Sequence, residues 1–223
     1  MQRKKNKKII IYFFLFLLLG SINNIKFNQT EFNSIKKIKI IGLSNFEEEN
    51  ILKEIYKLNL ENIFFLNGKE ITRILSSNNL IENFKIYKEY PSTLLIEIQK
   101  TNFLAKINKD GKIYIVGSNG KLIKDLSFQN KLPYIFGNPD IKEFLHLKKI
   151  IDESKISYEQ IQNLYFFKSK RWDLELENNV ILKLSKYNLK NSLDNTFEIL
   201  KDSKFKNIKI IDSRIKDQII IND

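Results

Sequence analysis

Two sets of carboxylates have spacings that could do chemistry. Asp173, Glu175 and Glu177 recur at every second position in "RWDLELEN", and Glu47, Glu48 and Glu49 stand side by side in "SNFEEEN". A general acid and base need neighbouring groups whose environments drive their pKa values apart. Neither pattern supplies that. Asp173, Glu175 and Glu177 alternate with Leu174 and Leu176, which predicts the solvent face of a strand. The glutamate run sits where a helix begins and suits the positive end of its dipole. His146 is the single histidine and there is no cysteine, which removes a Ser-His-Asp triad, a multi-histidine metal site, thiol catalysis and disulfides. The "GSNG" stretch, Gly117 to Gly120, lacks the Lys-Ser/Thr ending of a phosphate loop and leads into a strand. Trp172, beside Arg171, reads as a half-buried strand residue. No catalytic, cofactor-binding or metal-ligating residue is expected, and the chain reads as a non-enzyme.

Composition narrows the partners. The net charge is +12, yet arginine occurs only at Arg3, Arg73, Arg171 and Arg214, so nearly all the basicity is lysine. Nucleic-acid readers favour the bidentate arginine fork, and no nucleic-acid partner is expected. With 43% hydrophobic residues the chain can bury a core.

The first eight residues, "MQRKKNKK", carry Arg3, Lys4, Lys5, Lys7 and Lys8 ahead of the uncharged run "IIIYFFLFLLLGSI". This pattern is a secretory signal or a membrane anchor. No small-x-small cleavage site follows Leu19, so an uncleaved anchor over 9–27 is favoured, with Ile9, Phe13, Leu17 and Leu19 in the apolar stretch. From Ile9 to Ile22, at roughly 1.5 Å per residue, the run covers about 21 Å of a bilayer core roughly 30 Å thick. Asn23, Asn24 and a snorkelling Lys26 extend it to Phe27. Residues 1–8 then stay cytoplasmic by the positive-inside rule, 28–34 form a tether, and the bulk lies on the far side of a single span.

The elements that follow fall into two regions. Over 35–101, "IKKIKIIGL" predicts a strand. A helix with Ser44 and Glu47 at capping-box spacing follows, burying Ile51, Leu52, Ile55 and Leu58. A second helix is capped by Asn67, with Ile71, Ile74 and Leu75 facing the core. "ENFKIYKEYPSTLLIEIQK" then predicts two strands joined at Pro91-Ser92. Over 102–223, turns at Asp110-Gly111 and Gly117–Gly120 predict a three-strand meander. A helix through Ile141, Phe144, Leu145 and Ile151 and three further strands come next. A helix through Leu189, Leu193, Phe197 and Leu200 precedes one or two closing strands. The fold class is α+β: an N-terminal transmembrane helix, a small β-α-α-β-β domain, and a second, mostly antiparallel sheet domain with two helices.

This order resembles the FtsQ/DivIB family of bacterial cell-division proteins, with 35–101 similar to a POTRA domain and 102–223 to the family's β domain. The resemblance is carried by "IKKIKIIGLSNFEEENIL", by Pro91, Thr93 and Leu94 in "YPSTLLIEIQKTNFLAKI", by "GKIYIVGSNGKLI", and by Asp212 and Arg214 in "IIDSRI". Gly117 stands where the family is usually acidic, and Ser213 where leucine is usual. The resemblance implies a membrane-anchored divisome scaffold of the bacterial inner membrane, bulk periplasmic, at the division septum. It implies recruitment of FtsB and FtsL, with a partner strand added to an open sheet edge.

The last sixteen residues, "IKIIDSRIKDQIIIND", supply the candidate edge: Ile208, Ile210, Asp212, Arg214, Gln218 and Ile220. A flat apolar edge needs a cover or charged guards, and Lys209, Asp212, Arg214, Lys216 and Asp217 fit guards. Either both arms of this stretch pair inside the sheet, or one stays open for a partner strand. The edge arm is Ile208 to Arg214 or Gln218 to Ile221. The alternative function is an export-linked POTRA protein acting as a chaperone or envelope-assembly module.

Overall fold

The structure, a computed structural model, describes residues 3–22, 34–58, 60, 62–124, 131–202, 208–216 and 218–222. The expectations placed on the side chains of Arg3, Lys4 and Lys5, on residues 23–33 and on Asp217 lie outside them. The chain divides into two compact units, Met1–Ile74 with Lys85–Glu97, and Leu75–Phe84 with Ile98–Asp223.

Helix α1 spans Arg3–Ile22. Every side chain from Ile9 to Leu19 is exposed, each between 47% and 75%. No helix among the described residues is long and apolar enough to cross a membrane. The reason is visible in α1 itself: cations occupy its first two turns, and the apolar remainder is about 21 Å long against the roughly 30 Å of a hydrocarbon core. Of the expected span over 9–27, α1 covers 9–22, and 23–27 lie outside the described residues.

The first sheet is three-stranded, in the order β1-β3-β2, built from β1 (Lys37–Ile41), β2 (Ile81–Glu89) and β3 (Thr93–Lys100). Strands β1 and β3 run parallel, Ile38 beside Leu94 and Ile40 beside Ile96, and all four side chains are buried. Between β1 and β2 come α2 (Asn45–Tyr56) and α3 (Lys69–Ser77). Ser44 and Glu47 form the expected capping box on α2, Glu47 Oε2 accepting from the Ser44 N–H at 3.1 Å. Asn67 Oδ1 accepts from the Lys69 N–H at 3.2 Å at the start of α3. Ile51, Ile55 and Ile71 supply the buried faces of these helices.

The second sheet has nine strands in the order β12-β11-β10-β9-β8-β7-β4-β5-β6. They are β4 (Phe103–Lys109), β5 (Lys112–Gly117), β6 (Leu122–Lys124), β7 (Tyr134–Phe136), β8 (Ile161–Phe166), β9 (Trp172–Leu176), β10 (Ile181–Lys183), β11 (Ile210–Asp212) and β12 (Ile220–Asn222). Asp110 and Gly111 both take positive φ, 54° and 76°, and close the β4–β5 hairpin. The sheet is mixed. β7 lies parallel to β4 and to β8, and β10 parallel to β11, while the remaining neighbours are antiparallel. Two of the three parallel steps follow from connectivity: α4 (Ile141–Asp152) carries the chain from β7 to β8, and α5 (Leu189–Lys201) from β10 to β11. A helical crossover returns the next strand in the same direction.

One row of side chains holds this sheet to its helices. Ile107, Ile135, Leu164, Leu174, Leu182, Ile211 and Ile221 stand side by side across seven strands. All but the half-buried Ile221 are fully buried, and they join Phe144 and Leu147 of α4 and Leu193 of α5 in one core. Each such residue stabilises the fold by about 1.5–3 kcal/mol relative to leaving it in water.

The second unit also takes in Leu75–Phe84, and polar side chains explain why. Glu82 Oε2 accepts from Ser118 Oγ at 2.7 Å and Thr101 Oγ1 at 3.0 Å. Asn119 Nδ2 donates to the carbonyls of Asn79 and Ile81, each at 2.9 Å, and Lys121 Nζ to that of Asn78 at 3.0 Å. The "GSNG" stretch is thus a turn with outward-reaching hydroxyl and amide groups.

Candidate functional site at the open sheet edge

Strand β12 is the outermost strand at one end of the nine-stranded sheet, and β6 at the other. β12 pairs antiparallel with β11 only, Ile211 beside Ile221 and Asp212 beside Ile220. The Lys209 N–H donates to the Asn222 carbonyl at 3.0 Å and extends the ladder by one step. Among the described residues no strand pairs with the other edge of β12. Alternation then divides the strand: Ile221 packs on the core, whereas Ile220 is 48% exposed.

β11 is pinned from three sides. It pairs with β10 and with β12. At its end Ser213 donates its N–H to the Lys183 carbonyl at 3.0 Å, and its hydroxyl reaches the same carbonyl at 3.1 Å. Ser213 Oγ also shares a hydrogen bond with Ser192 Oγ of α5, and Ser192 Oγ accepts from the Ser185 N–H at 3.1 Å. Arg214 grips the Asp212 carboxylate with its guanidinium and with its backbone N–H. Burial pushes the Asp212 carboxyl up, but these bonds and the arginine charge outweigh it and hold the group below its ordinary value.

Of the candidate edge residues, Ile208 is buried and Ile210 and Asp212 lie on β11, whose backbone is paired on both sides. Arg214 follows β11, Gln218 precedes β12 and is exposed, and Ile220 is on β12 itself. The open arm is the second of the two.

Between α5 and the β11–β12 connection lies a cavity of about 510 Å³, lined by Ser185, Asn191, Ser192, Ser213, Lys216 and Gln218, among others. Its lining mixes hydroxyl, amide and ammonium groups.

The sheet face opposite the helices carries the remaining functional groups. Ile220, Asp212, Lys183, Asp173, Tyr165 and Phe136 form one row across six strands. Asp173 corrects the sequence reading. It is 3% exposed, not on a solvated face, because Arg171 lies over it with Nε 3.0 Å from Oδ1. Burial raises the Asp173 pKa, opposed by the charges of Arg171, Lys183 and Arg214. Glu175, half-buried, accepts from Tyr165 Oη at 2.6 Å and Asn163 Nδ2 at 2.8 Å. That bond, with burial, pushes the Tyr165 phenol up to about 12. Tyr165 stacks on Phe136, ring centroids 5.0 Å apart. Trp172 is buried against Phe166 and so is more enclosed than the half-buried residue expected. His146 is exposed on α4.

These carboxylates each have a structural partner, and among the described residues no group of three or more His, Cys, Asp or Glu side chains could hold a metal ion. Every buried side-chain nitrogen or oxygen among them has a hydrogen-bond partner. The site offers backbone edge and side-chain contacts, which is chemistry for binding a polypeptide. Sequence reasoning missed the serine clasp and the burial of Thr196, whose hydroxyl donates to the Leu193 carbonyl at 2.8 Å within α5. Nothing in the sequence separates a hydroxyl that bonds its own helix from one that meets solvent.

Comparison with known proteins agrees with this architecture. The family described as POTRA domain, FtsQ-type, matches residues 33–100, and that described as Cell division protein FtsQ/DivIB, C-terminal, matches residues 105–214. The cell division protein DivIB of Clostridium botulinum (strain Loch Maree / Type A3) is 31% identical over 156 residues, covering 66% of this chain and 59% of the relative. DivIB of Bacillus subtilis (strain 168) is 22% identical over 169 residues, covering 74% and 63%. FtsQ of Rickettsia bellii (strain RML369-C) is 24% identical over 204 residues, covering 84% and 71%. The chain spans about half the length of the first relatives it matches, from 42% for Clostridium tetani DivIB to 59% for those of C. botulinum. Among solved structures, the major extracytoplasmic domain of the trans isomer of DivIB from Geobacillus stearothermophilus matches with 10% identity and a TM-score of 0.35, over 48% of this chain and 96% of that one. Two family matches in the order of the two sheets account for most of the folded chain, and the chain belongs to the FtsQ/DivIB family of bacterial cell-division proteins.

Proposed function

We propose that this protein is a non-enzymatic divisome scaffold that binds its partner by strand addition along the free edge of β12. The observation that supports this most directly is the position of β12 as the last, singly paired strand of the nine-stranded sheet, with Ile220 exposed beside it. An added strand gains main-chain hydrogen bonds along the edge and side-chain specificity from alternate positions. Asp212, Arg214 and Gln218 then set register and selectivity, while Ile210 and Ile208 hold the sheet beneath. FtsB-like and FtsL-like partners fit this role through family membership. In the same reading, 1–8 is cytoplasmic, 9–27 attaches the chain to the inner membrane through α1, 28–34 is a tether, 35–101 is the POTRA domain and 102–223 is the binding domain.

Two measurements test the proposal. A fluorescent fusion in dividing cells should form a midcell band; a diffuse envelope signal would count against the septal role. Hydrogen exchange of the full chain, with and without an FtsB-like peptide, should show new protection at the Ile220–Asn222 amides. Binding without protection there would remove strand addition while leaving the scaffold role standing. Fractionation addresses attachment: release of the chain from membranes by salt alone would contradict an α1 anchor.

A further inference from the structure

Phe64 and Phe65 stand side by side on the turn between α2 and α3, 52% and 85% exposed, and Tyr90 stacks on Phe64 with centroids 4.9 Å apart and is itself 59% exposed. Exposed neighbouring aromatics of this size are rarely left to water without a use. The turn that displays them is built. Ile63 is fully buried and roots it. Asn62 Oδ1 accepts from the N–H groups of Phe64 at 2.9 Å and Phe65 at 3.4 Å. Lys88 Nζ donates to the carbonyls of Phe64 and Leu66, both at 3.3 Å. The turn's polar groups are therefore tied inward and its rings face out, with an ammonium group beside them.

From this arrangement we infer that the Phe64–Phe65 turn, with Tyr90 and Lys88, is a second membrane contact, seated in the headgroup region of an anionic bilayer. Aromatic rings partition to that layer, and lysines beside them meet lipid phosphates. Three further observations favour a bilayer as the occupant. Of the net charge of +12, five cations lie in residues 1–8, and the remaining +7 is complementary to an anionic surface. Helix α1 exposes an apolar run from Ile9 to Leu19, which brings the chain to a bilayer surface. The connection from Ile22 to Lys37, even fully extended, reaches at most about 54 Å. Once α1 is inserted, the turn is held at high effective concentration near the surface. The inference rests on the reading that α1 enters a bilayer.

The absence of cysteine allows a clean test. The full chain, one copy per nanodisc of phosphatidylglycerol and phosphatidylcholine, carries an environment-sensitive fluorophore on Phe65→Cys, Leu17→Cys or Phe46→Cys in turn. All three side chains are exposed, so the fold tolerates the label. The expected result is blue-shifted emission, quenched by headgroup-proximal spin-labelled lipid, at 65, deeper quenching at 17, and aqueous emission at 46. An aqueous label at 65 with an embedded label at 17 overturns the second contact and leaves the α1 attachment intact. Aqueous labels at both overturn that attachment as well. Equal shielding at 46 and 65 would mean that the probe inserts itself, and shielding at 65 only in vesicles holding many copies would make the turn a self-association surface; either overturns the inference.

Discussion

Arg214 forks onto Asp212, its Nε 2.8 Å from Oδ1 and 2.9 Å from Oδ2, while its own N–H donates to Oδ1 at 3.2 Å. The pair ties the end of β11 to the sheet face on which Ile220 of β12 lies next in the row. Arg214→Ala leaves a mostly buried carboxylate with one bond from the chain and should destabilise by about 1–3 kcal/mol. The lower end is expected, since the guanidinium is partly screened by solvent. Urea unfolding at neutral pH measures it.

The pH dependence of the two buried aspartates should have opposite sign. Asp212 is held below its ordinary value in the folded state. Its contribution is therefore fully present above the unfolded value and is lost as pH falls through the folded one. Asp173 is raised by burial. Its contribution is present below the unfolded value and is lost as pH rises through the folded one. Unfolding free energies of Asp212→Asn and Asp173→Asn, each taken relative to wild type across the acid range, should slope in opposite directions. Parallel slopes would show that one of the two environments is misassigned.

Gly137 follows β7 with φ of +94°, and a Cβ there would meet the Phe166 carbonyl oxygen at 2.3 Å. The obstacle is backbone and cannot swing aside. Gly137→Ala should cost at least about 1–3 kcal/mol from the strained φ alone, with more from displacing β8. Thermal unfolding should shift well beyond that of Gly111→Ala. Gly111 also has positive φ, but no atom lies within 4 Å of its missing Cβ.

Much of this fold was legible because the two periods differ. The capping box at Ser44 and Glu47, the Asp110-Gly111 turn and the Leu174–Leu176 alternation are local signals, and each formed the element it predicts. What local patterns could not carry was neighbourhood. β7 is three residues of "LPYIFG", yet it sits mid-sheet, parallel to strands distant in sequence on both sides. The burial of Asp173 depended on Arg171 folding back over it, and its charge environment on Arg214 from another strand's end. At the candidate site, the apolar run at the end of the sequence marked a strand. Whether Ile208–Arg214 or Gln218–Ile221 lay outermost turned on β11 pairing parallel to β10, a step set by the α5 crossover and silent in residue spacing.

Ile220 and Ile221 separate partner binding from stability within one strand. Ile221 faces the core beside Ile211, and Ile221→Ala should destabilise the chain by about 1–2 kcal/mol for the apolar surface lost from a half-buried site. Ile220 faces out, and an exposed substitution there should stay within about ±0.5 kcal/mol. Ile220→Lys adds a charge to the strand that an incoming partner must lie against, a device by which natural edges refuse new strands. If β12 receives the partner, Ile220→Lys should weaken its affinity by about tenfold or more, near 1.4 kcal/mol, at unchanged thermal stability. Calorimetric titration with an FtsB-like peptide, beside a melting curve for each variant, reads both quantities. Undiminished affinity for a folded Ile220→Lys chain would place the partner elsewhere than on the β12 edge.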